Sequence, residues 1–118
     1  MGKIVSLRDN FNNILELNCD TVFTGSEGDM MHTFQCEMNV TGNYSDLLKE
    51  SLGSKGLYEL DGKTGDEVST KLAVAVLMLG TKQSDDYWEP TEGNVGFCLN
   101  ELLTWANELP KGVFKVLG

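Results

Sequence analysis

Tyr87 and Trp88 stand among four carboxylates, Asp85, Asp86, Glu89 and Glu92, and Gly93, Asn94 and Gly96 follow at the start of a helical pattern. Large aromatics ringed by acids suit a recognition loop, in which the rings anchor on a partner and the charge steers a cationic surface towards them. A helix start with small residues and backbone amides suits instead a phosphate or carboxylate. The four acids would repel such a ligand, and no lysine or arginine lies between Gln83 and Pro110 to offset them. The plainer structural reading is that Trp88 and Pro90 close the edge of the core while the acids offset the helix dipole.

Asn39-Val40-Thr41-Gly42-Asn43-Tyr44 is a second polar segment of interest. Asn39 and Asn43 each fit the N-x-[ST] pattern, but without an export signal glycosylation is not expected. Their amides can read the hydrogen-bonding edge of a small ligand, or they can close a turn and cap a helix. The ligand reading takes Asn39, Asn43, Tyr44, Trp88, Gly93 and Asn94 together, and it requires that the fold bring Asn43 and Tyr44 beside Trp88 and Asn94.

Motifs for catalysis and metals are weak. His32 is the lone histidine, and His32 with Cys36 falls in a strand-like run, where side chains four apart are too distant to share an ion comfortably. No D-x-D-x-D-G loop, G-x-S-x-G elbow or P-loop occurs. Asp85 and Asp86 could serve as acid and base if buried, yet neighbours in a charged loop are usually solvated. A non-enzymatic protein with no cofactor and no metal is the expectation.

The chain has 118 residues and a net charge of −9, and its positive charge is unevenly spread: lysine and arginine are missing from Asp9 to Leu48 and again from Gln83 to Pro110. Acids fill both gaps, including Glu16, Asp20, Glu27, Asp29, Glu37 and Asp46 in the first. Such a surface repels nucleic acid and anionic membrane and attracts basic protein surfaces. Cys19, Cys36 and Cys98 are odd in number and lack any C-x-x-C, which favours reduced, buried thiols. The segment Met1–Ser6 has no apolar stretch of the signal-peptide kind, so a cytoplasmic location is expected. Met1-Gly2 with Ser6 matches a myristoylation spacing that is short enough to arise by chance. The longest apolar run, Leu72 to Leu79, is far below the roughly 20 residues needed to span a bilayer.

The elements that must position these residues fit one domain over residues 1–118. Ile4, Val5 and Leu7 suggest a first strand with no obvious partner. Ile14–Phe23 and His32–Val40 alternate with a period of two around a glycine-containing turn, which predicts an antiparallel hairpin. Ser45 is placed to cap a helix carrying Leu47, Leu48 and Leu52 and ending at Gly53. Leu57, Tyr58 and Leu60 are expected to tuck a glycine-rich loop onto the core. Thr64 to Glu67 matches a capping box, and the helix it opens is apolar on nearly all sides from Leu72 to Leu79, which predicts the most buried segment of the chain. Thr91 or Asn94 can cap a third helix striped by Val95, Leu99, Leu102, Ala106 and Leu109, and Val113–Leu117 closes as a strand. The order β-β-β-α-α-α-β gives an α+β fold, a largely antiparallel sheet packed by three helices.

The pattern Tyr87-Trp88-x-Pro90-Thr91-x-Gly93-Asn94-x-Gly96, followed by Leu102-Leu103-x-Trp105-Ala106 and a last strand, resembles small uncharacterised proteins encoded by bacteriophages and prophages. The resemblance extends over about residues 33–118; the acidic hairpin from Leu15 to Val40 is not part of the shared pattern. It implies an accessory product of the host cytoplasm that binds and blocks a host component, and it brings no assigned reaction.

Three functions compete. A non-enzymatic inhibitor would dock on a basic host protein, for instance a defence or nucleic-acid-binding protein, through Tyr87, Trp88, Asp85, Asp86, Glu89, Glu92, Glu27, Asp29 and Glu37, without touching nucleic acid or membrane itself. A nucleotide sponge acting as a homo-oligomer would need Arg8, Lys49, Lys55 or Lys63 to converge near the aromatic loop. A small hydrolase would rest on Asp85 and Asp86.

Overall fold

Val5 and Leu7 share one face of their strand, β1 (Lys3–Arg8), which runs through the middle of a sheet and turns that face to the core. The computed structural model describes residues 2–24 and 30–118, and the side chains of that set apart from 18–34. The remaining strands are β2 (Glu16–Thr24), β3 (Met30–Gln35), β4 (Glu37–Val40) and β5 (Val113–Leu117). The helices are α1 (Ser45–Leu52), α2 (Gly65–Leu79) and α3 (Glu92–Glu108), with 3-10 turns at Gly42–Tyr44 and Gly56–Leu60. The fold is α+β, as the periodicities predict.

The first strand finds partners on both sides. β4, β1 and β5 form an antiparallel sheet in that order, with Val5 opposite Met38 and Val116, and Leu7 opposite Phe114. Val5, Leu7, Met38, Val40, Phe114 and Val116 are all buried and make its inner face. The outer edge of β5 is closed by the loop after the second 3-10 turn: Val116 N donates to Asp61 Oδ1 at 2.9 Å and Phe114 N to the Lys63 carbonyl at 2.9 Å. That covering removes one exposed strand edge.

β2 and β3 pair as the expected antiparallel hairpin, with a register shift between Glu16 and Thr21. The run His32–Val40 is not one strand, however. It breaks at Cys36, whose N–H donates to the Leu15 carbonyl while its own carbonyl accepts from Leu7 N, both at 2.9 Å. Cys36 is thus the point where the chain leaves one ladder and joins the other. Alternation continues straight through, with Cys36, Met38 and Val40 buried, so a period of two cannot reveal a change of partner.

Ser45 does not cap α1. Thr41 Oγ1 accepts from Asn43 N at 3.2 Å and caps the 3-10 turn that runs into the helix. Gly53 ends α1 as expected, at φ 130°. Of the loop residues beyond it, Leu57 and Leu60 are buried, but Tyr58 keeps 37% of its surface exposed, and its hydroxyl donates to the Gly118 carbonyl at 2.5 Å. The capping box forms in full: Thr64 Oγ1 accepts from Glu67 N at 3.2 Å, and Thr64 N donates to Glu67 Oε1 at 2.9 Å.

The segment Leu72–Leu79 is not the most buried of the chain. Val68, Leu72 and Ala75 face the core, whereas Val74, Leu77 and Met78 are 51%, 85% and 73% exposed. α2 packs chiefly on α3, with Gly65 so near the Ala106 backbone that an added Cβ would lie 2.9 Å from it. Among the described elements nothing covers its other face. The most buried helix is α3, where Asn94, Val95, Gly96, Cys98, Leu99, Leu102, Trp105 and Ala106 are all interior. Among the described residues no helix is long and apolar enough to cross a membrane.

Candidate functional site: an acidic aromatic loop folded around Asn94

Two glycines decide where the loop between α2 and α3 begins. A Cβ at Gly96 would fall 1.7 Å from the Gly80 carbonyl oxygen, and one at Gly93 would fall 1.8 Å from that of Lys82. The chain leaving α2 therefore lies directly on the first turns of α3, where only a residue without a side chain admits it. That path delivers Ser84 to Asn94.

Asn94 is 2% exposed, and every polar atom of its side chain is used. Its Oδ1 accepts from Ser84 N at 2.9 Å, and its Nδ2 donates to Ser84 Oγ (3.0 Å), the Asp86 carbonyl (3.0 Å) and the Glu89 carbonyl (2.8 Å). Thr91 caps α3 by accepting from Asn94 N at 3.1 Å. Ser84 Oγ donates in turn to the Asp86 carbonyl at 2.8 Å, and Asp86 Oδ1 accepts from Trp88 N at 3.0 Å. A loop of residues 84–91 is thus wound around one buried amide, which satisfies backbone groups that a surface loop would otherwise leave to water.

The opposite wall comes from the segment after β4. Tyr44, fully buried, donates its hydroxyl to the Tyr87 carbonyl, and the two rings meet edge-on at 5.7 Å. Tyr87 Oη donates to the Asn39 carbonyl at 3.2 Å, Asn43 Nδ2 donates to the Trp88 carbonyl at 3.0 Å, and the Tyr87 and Trp88 rings lie 5.3 Å apart. Burial pushes the Tyr44 phenol well above its ordinary range, with Tyr87, Cys98 and Asp86 adding to it. It stays a neutral donor at any physiological pH.

Asn39, Asn43, Tyr44, Trp88, Gly93 and Asn94 therefore come together as the ligand reading requires. Their hydrogen-bonding groups, however, hold the loop: the Asn94 amide, the Tyr44 hydroxyl and the Asn43 Nδ2 all end on loop backbone or on Ser84. Gly93 faces the Lys82 carbonyl, an acceptor that would repel an anion at this helix start. What the arrangement presents outward is different. Trp88 is 36% exposed, Asp85, Asp86, Glu89 and Glu92 are exposed, and Pro90 is exposed as well, so neither ring nor proline seals the core. Glu37, half-buried, lies on β4 two residues from Asn39 and on the same side of the strand. Glu27 and Asp29 lie outside the described residues. Asp85 and Asp86 sit at the surface and not in the buried setting that the acid–base reading takes as its condition.

Two features have no sequence signal. Lys3, Lys49 and Lys55 line one narrow cleft with Thr41, Gly42 and Ser45, and Lys3 reaches it from far away in a chain of net charge −9. Phe11 is 85% exposed at the tip of a loop held by Asp9, whose Oδ1 accepts from Phe11 N at 2.8 Å and from Asn13 N at 2.9 Å. The bond from Asn13 is the main reason the Asp9 carboxyl titrates below its usual range.

The thiols of Cys36 and Cys98 belong to the core, and the side chain of Cys19 lies outside the described ones. Cys98 Sγ lies 3.7 Å from Met38 Sδ, and burial pushes Cys98 up to about 12 from 9.0, with Glu101 adding to it. Cys36 is pushed up to about 12 by burial and, less, by Glu108. A folded pKa raised in this way leaves the native state holding protons that the unfolded chain has lost. Stability is therefore intact below pH ~9 and falls as pH rises from about 9 to 12, by up to ~1.4 kcal/mol per pH unit for each thiol. Urea titrations at pH 8, 9.5 and 11 are expected to show that fall, and a thiol reagent at pH 8 is expected to label Cys36 and Cys98 only on unfolding. Labelling of either in the folded state at the rate of a free thiol would contradict the assignment.

No family model matches the chain, and no curated protein or solved structure matches it either. Among the described residues no group of three or more histidine, cysteine, aspartate or glutamate side chains is placed to hold a metal ion.

Proposed function

We propose that this chain is a non-enzymatic binding protein of the bacteriophage accessory kind, which docks the acidic Trp88 loop on a basic host protein and blocks it. The observation that carries the reading is the Asn94-centred hydrogen-bond set, which holds a part-exposed indole among four exposed carboxylates. Pre-organisation of this sort lowers the ordering cost of association. Aromatic anchors supply the contact energy, and the surrounding charge supplies rate and choice of partner. The host cytoplasm is the compartment in which such a product would act.

Capture from bacterial lysate on the immobilised chain, at about 50 mM and about 500 mM salt, tests the proposal. Basic proteins recovered at low salt are expected to be lost at high salt. Trp88→Ala is expected to weaken capture by about 30-fold, equivalent to ~2 kcal/mol at a central aromatic anchor, while leaving the melting temperature nearly unchanged. Retention that is indifferent to both salt and Trp88→Ala would remove the proposal.

A second reading has one observation in its favour: Lys49 and Lys55 converge, with Lys3, on the cleft at Thr41–Ser45. A nucleotide sponge would then place phosphate there rather than beside Trp88. Thermal stabilisation by a nucleotide panel, abolished by Lys49→Ala with Lys55→Ala, is the expected result on this reading, and a flat panel ends it.

A further inference from the structure

We propose that the cleft lined by Lys3, Lys49 and Lys55 takes the phosphoryl end of a small phosphate monoester, bound as a dianion whatever group it is attached to. Phosphate lies in this cleft on the nucleotide reading as well, and the assignment rests on that placement, but here the base stays outside. Three of the nine lysine and arginine residues of the chain line this one cleft, and no carboxylate does. They arrive on separate segments: Lys3 on β1, Lys49 on α1, and Lys55 just before the second 3-10 turn. Gathering like charges is unfavourable unless an anion shares them. The acids nearest in sequence do not serve. Glu59 is turned to Lys71 Nζ at 4.0 Å and accepts from Lys55 N at 3.1 Å, while Asp46 and Glu50 stand exposed on α1 and do not line the cleft. Among the described residues Lys71 with Glu59 is the single ion pair, which leaves the three ammonium groups without a carboxylate. Lys3 is the least free of them, since its ammonium lies 5.6 Å from the centroid of the Tyr58 ring, whose hydroxyl is tied to the Gly118 carbonyl.

The lining decides the class of ligand. Gly42 and Gly56 leave bare backbone on the wall, Thr41 and Ser45 add hydroxyls, and every polar side chain present can donate. An ammonium is a compact charge with three donors, suited to phosphate oxygens. Three of them match the terminal oxygens and the double charge of a monoester, whereas a diester or a carboxylate carries one charge and leaves more of the lysine charge unbalanced. No aromatic side chain lines the cleft, so nothing in it stacks a base. The space agrees: about 320 Å³ with the solvent mouth included, at the lower end for small-ligand sites. The chain's net charge of −9 opposes an anionic membrane or a nucleic acid, which selects a small soluble monoester.

Titration of the full chain at about 50 mM salt and about pH 7.5, followed by the backbone amide signals of Gly42 and Ser45 in nitrogen–proton NMR spectra, tests the assignment. Glycerol phosphate, inorganic phosphate and AMP are expected to move both signals with dissociation constants within about threefold of one another, at roughly 0.1 to 1 mM. Dimethyl phosphate, a monoanionic diester, is expected to bind about tenfold more weakly or worse, and adenosine not at all. Lys49→Gln with Lys55→Gln is expected to weaken glycerol phosphate by about tenfold or more at an unchanged melting temperature, because both side chains are exposed. Lys111→Gln with Lys115→Gln alters the net charge equally but away from the cleft, and is expected to leave binding within about twofold. AMP bound more than about tenfold tighter than glycerol phosphate would overturn the proposal and leave the nucleotide reading standing, because the base would then be read. Equal binding of dimethyl phosphate, or equal losses in the two double variants, would reduce the effect to a general attraction of anions and overturn it as well. No movement of either signal with any monoester at about 10 mM would end both readings.

Discussion

Gly96→Ala is expected to cost about 3 kcal/mol or more, against a helix propensity that favours alanine by about 1 kcal/mol. The sign is decided by the carbonyl of Gly80, 1.7 Å from where the new Cβ would sit. That atom is backbone and cannot rotate aside, so either α3 or residues 80–82 must shift. Since α3 supplies Leu99, Leu102 and Trp105 to the core, the smaller disturbance is to lift the strand-like segment away. Doing so also withdraws Ser84 from Asn94. Urea denaturation compared with wild type measures the loss, and a variant of equal or greater stability would show that the close approach does not exist in solution. Gly93→Ala, 1.8 Å from the Lys82 carbonyl, is expected to act in the same direction but less, because the first turn of a helix can fray.

Asn94→Asp is expected to be the most damaging isosteric change in the loop. The amide nitrogen now donates to Ser84 Oγ and to the carbonyls of Asp86 and Glu89, and a carboxylate would place a buried negative charge against those acceptors. Loss of about 3 kcal/mol at pH 7 follows from an unpaired buried charge facing acceptors. The protonated acid restores one donor, so the folded pKa of the new residue must lie above the ordinary aspartate value of about 3.9. Part of the loss is therefore expected to be recovered as the pH falls towards that value and to return as the pH rises. Asn94→Ala lacks the charge and is expected to release the loop with a smaller stability loss. Acrylamide quenching of Trp88 should then increase, while Trp105, with no exposed surface, remains shielded as an internal reference. Wild-type stability of Asn94→Asp at pH 7, with quenching unchanged in Asn94→Ala, would mean that the amide does not organise the loop.

Much of the fold was legible because its signals are local. The Thr64–Glu67 capping box, the Val95–Leu99–Leu102–Ala106 stripe, the Gly53 stop and the closing strand each depend on residues within a few positions of one another, and each forms as written. Where the structure departs from the periodicity, one cause is at work. Cys36 keeps the alternation of its run while changing its partner from the β2 hairpin to β1, and the apolar positions of α2 look equally fit for burial on every side. Periodicity states which residues share a face. It does not state what, if anything, lies against that face.

The candidate site divides along the same line. Aromatic, acidic, asparagine and glycine residues at 85–96 mark a place of interest in the sequence, and the fold brings Asn43 and Tyr44 to it. The Asn94 amide holds Ser84, Asp86 and Glu89, 5–10 positions away, whereas the bonds of the Asn43 amide, the Tyr44 hydroxyl and the Tyr87 hydroxyl that pin the loop, leaving Trp88 and the carboxylates facing solvent, join residues 43–48 positions apart. The arrival of Lys3 beside Lys49 and Lys55 is equally non-local.

Composition and spacing alone determined that this is an acidic α+β protein whose helices begin and end where local hydrogen bonds dictate. Only the tertiary structure decided which apolar face stays in water and which polar groups are already spoken for, because burial is a property of the surfaces that meet across the fold and a sequence window contains one side of each meeting.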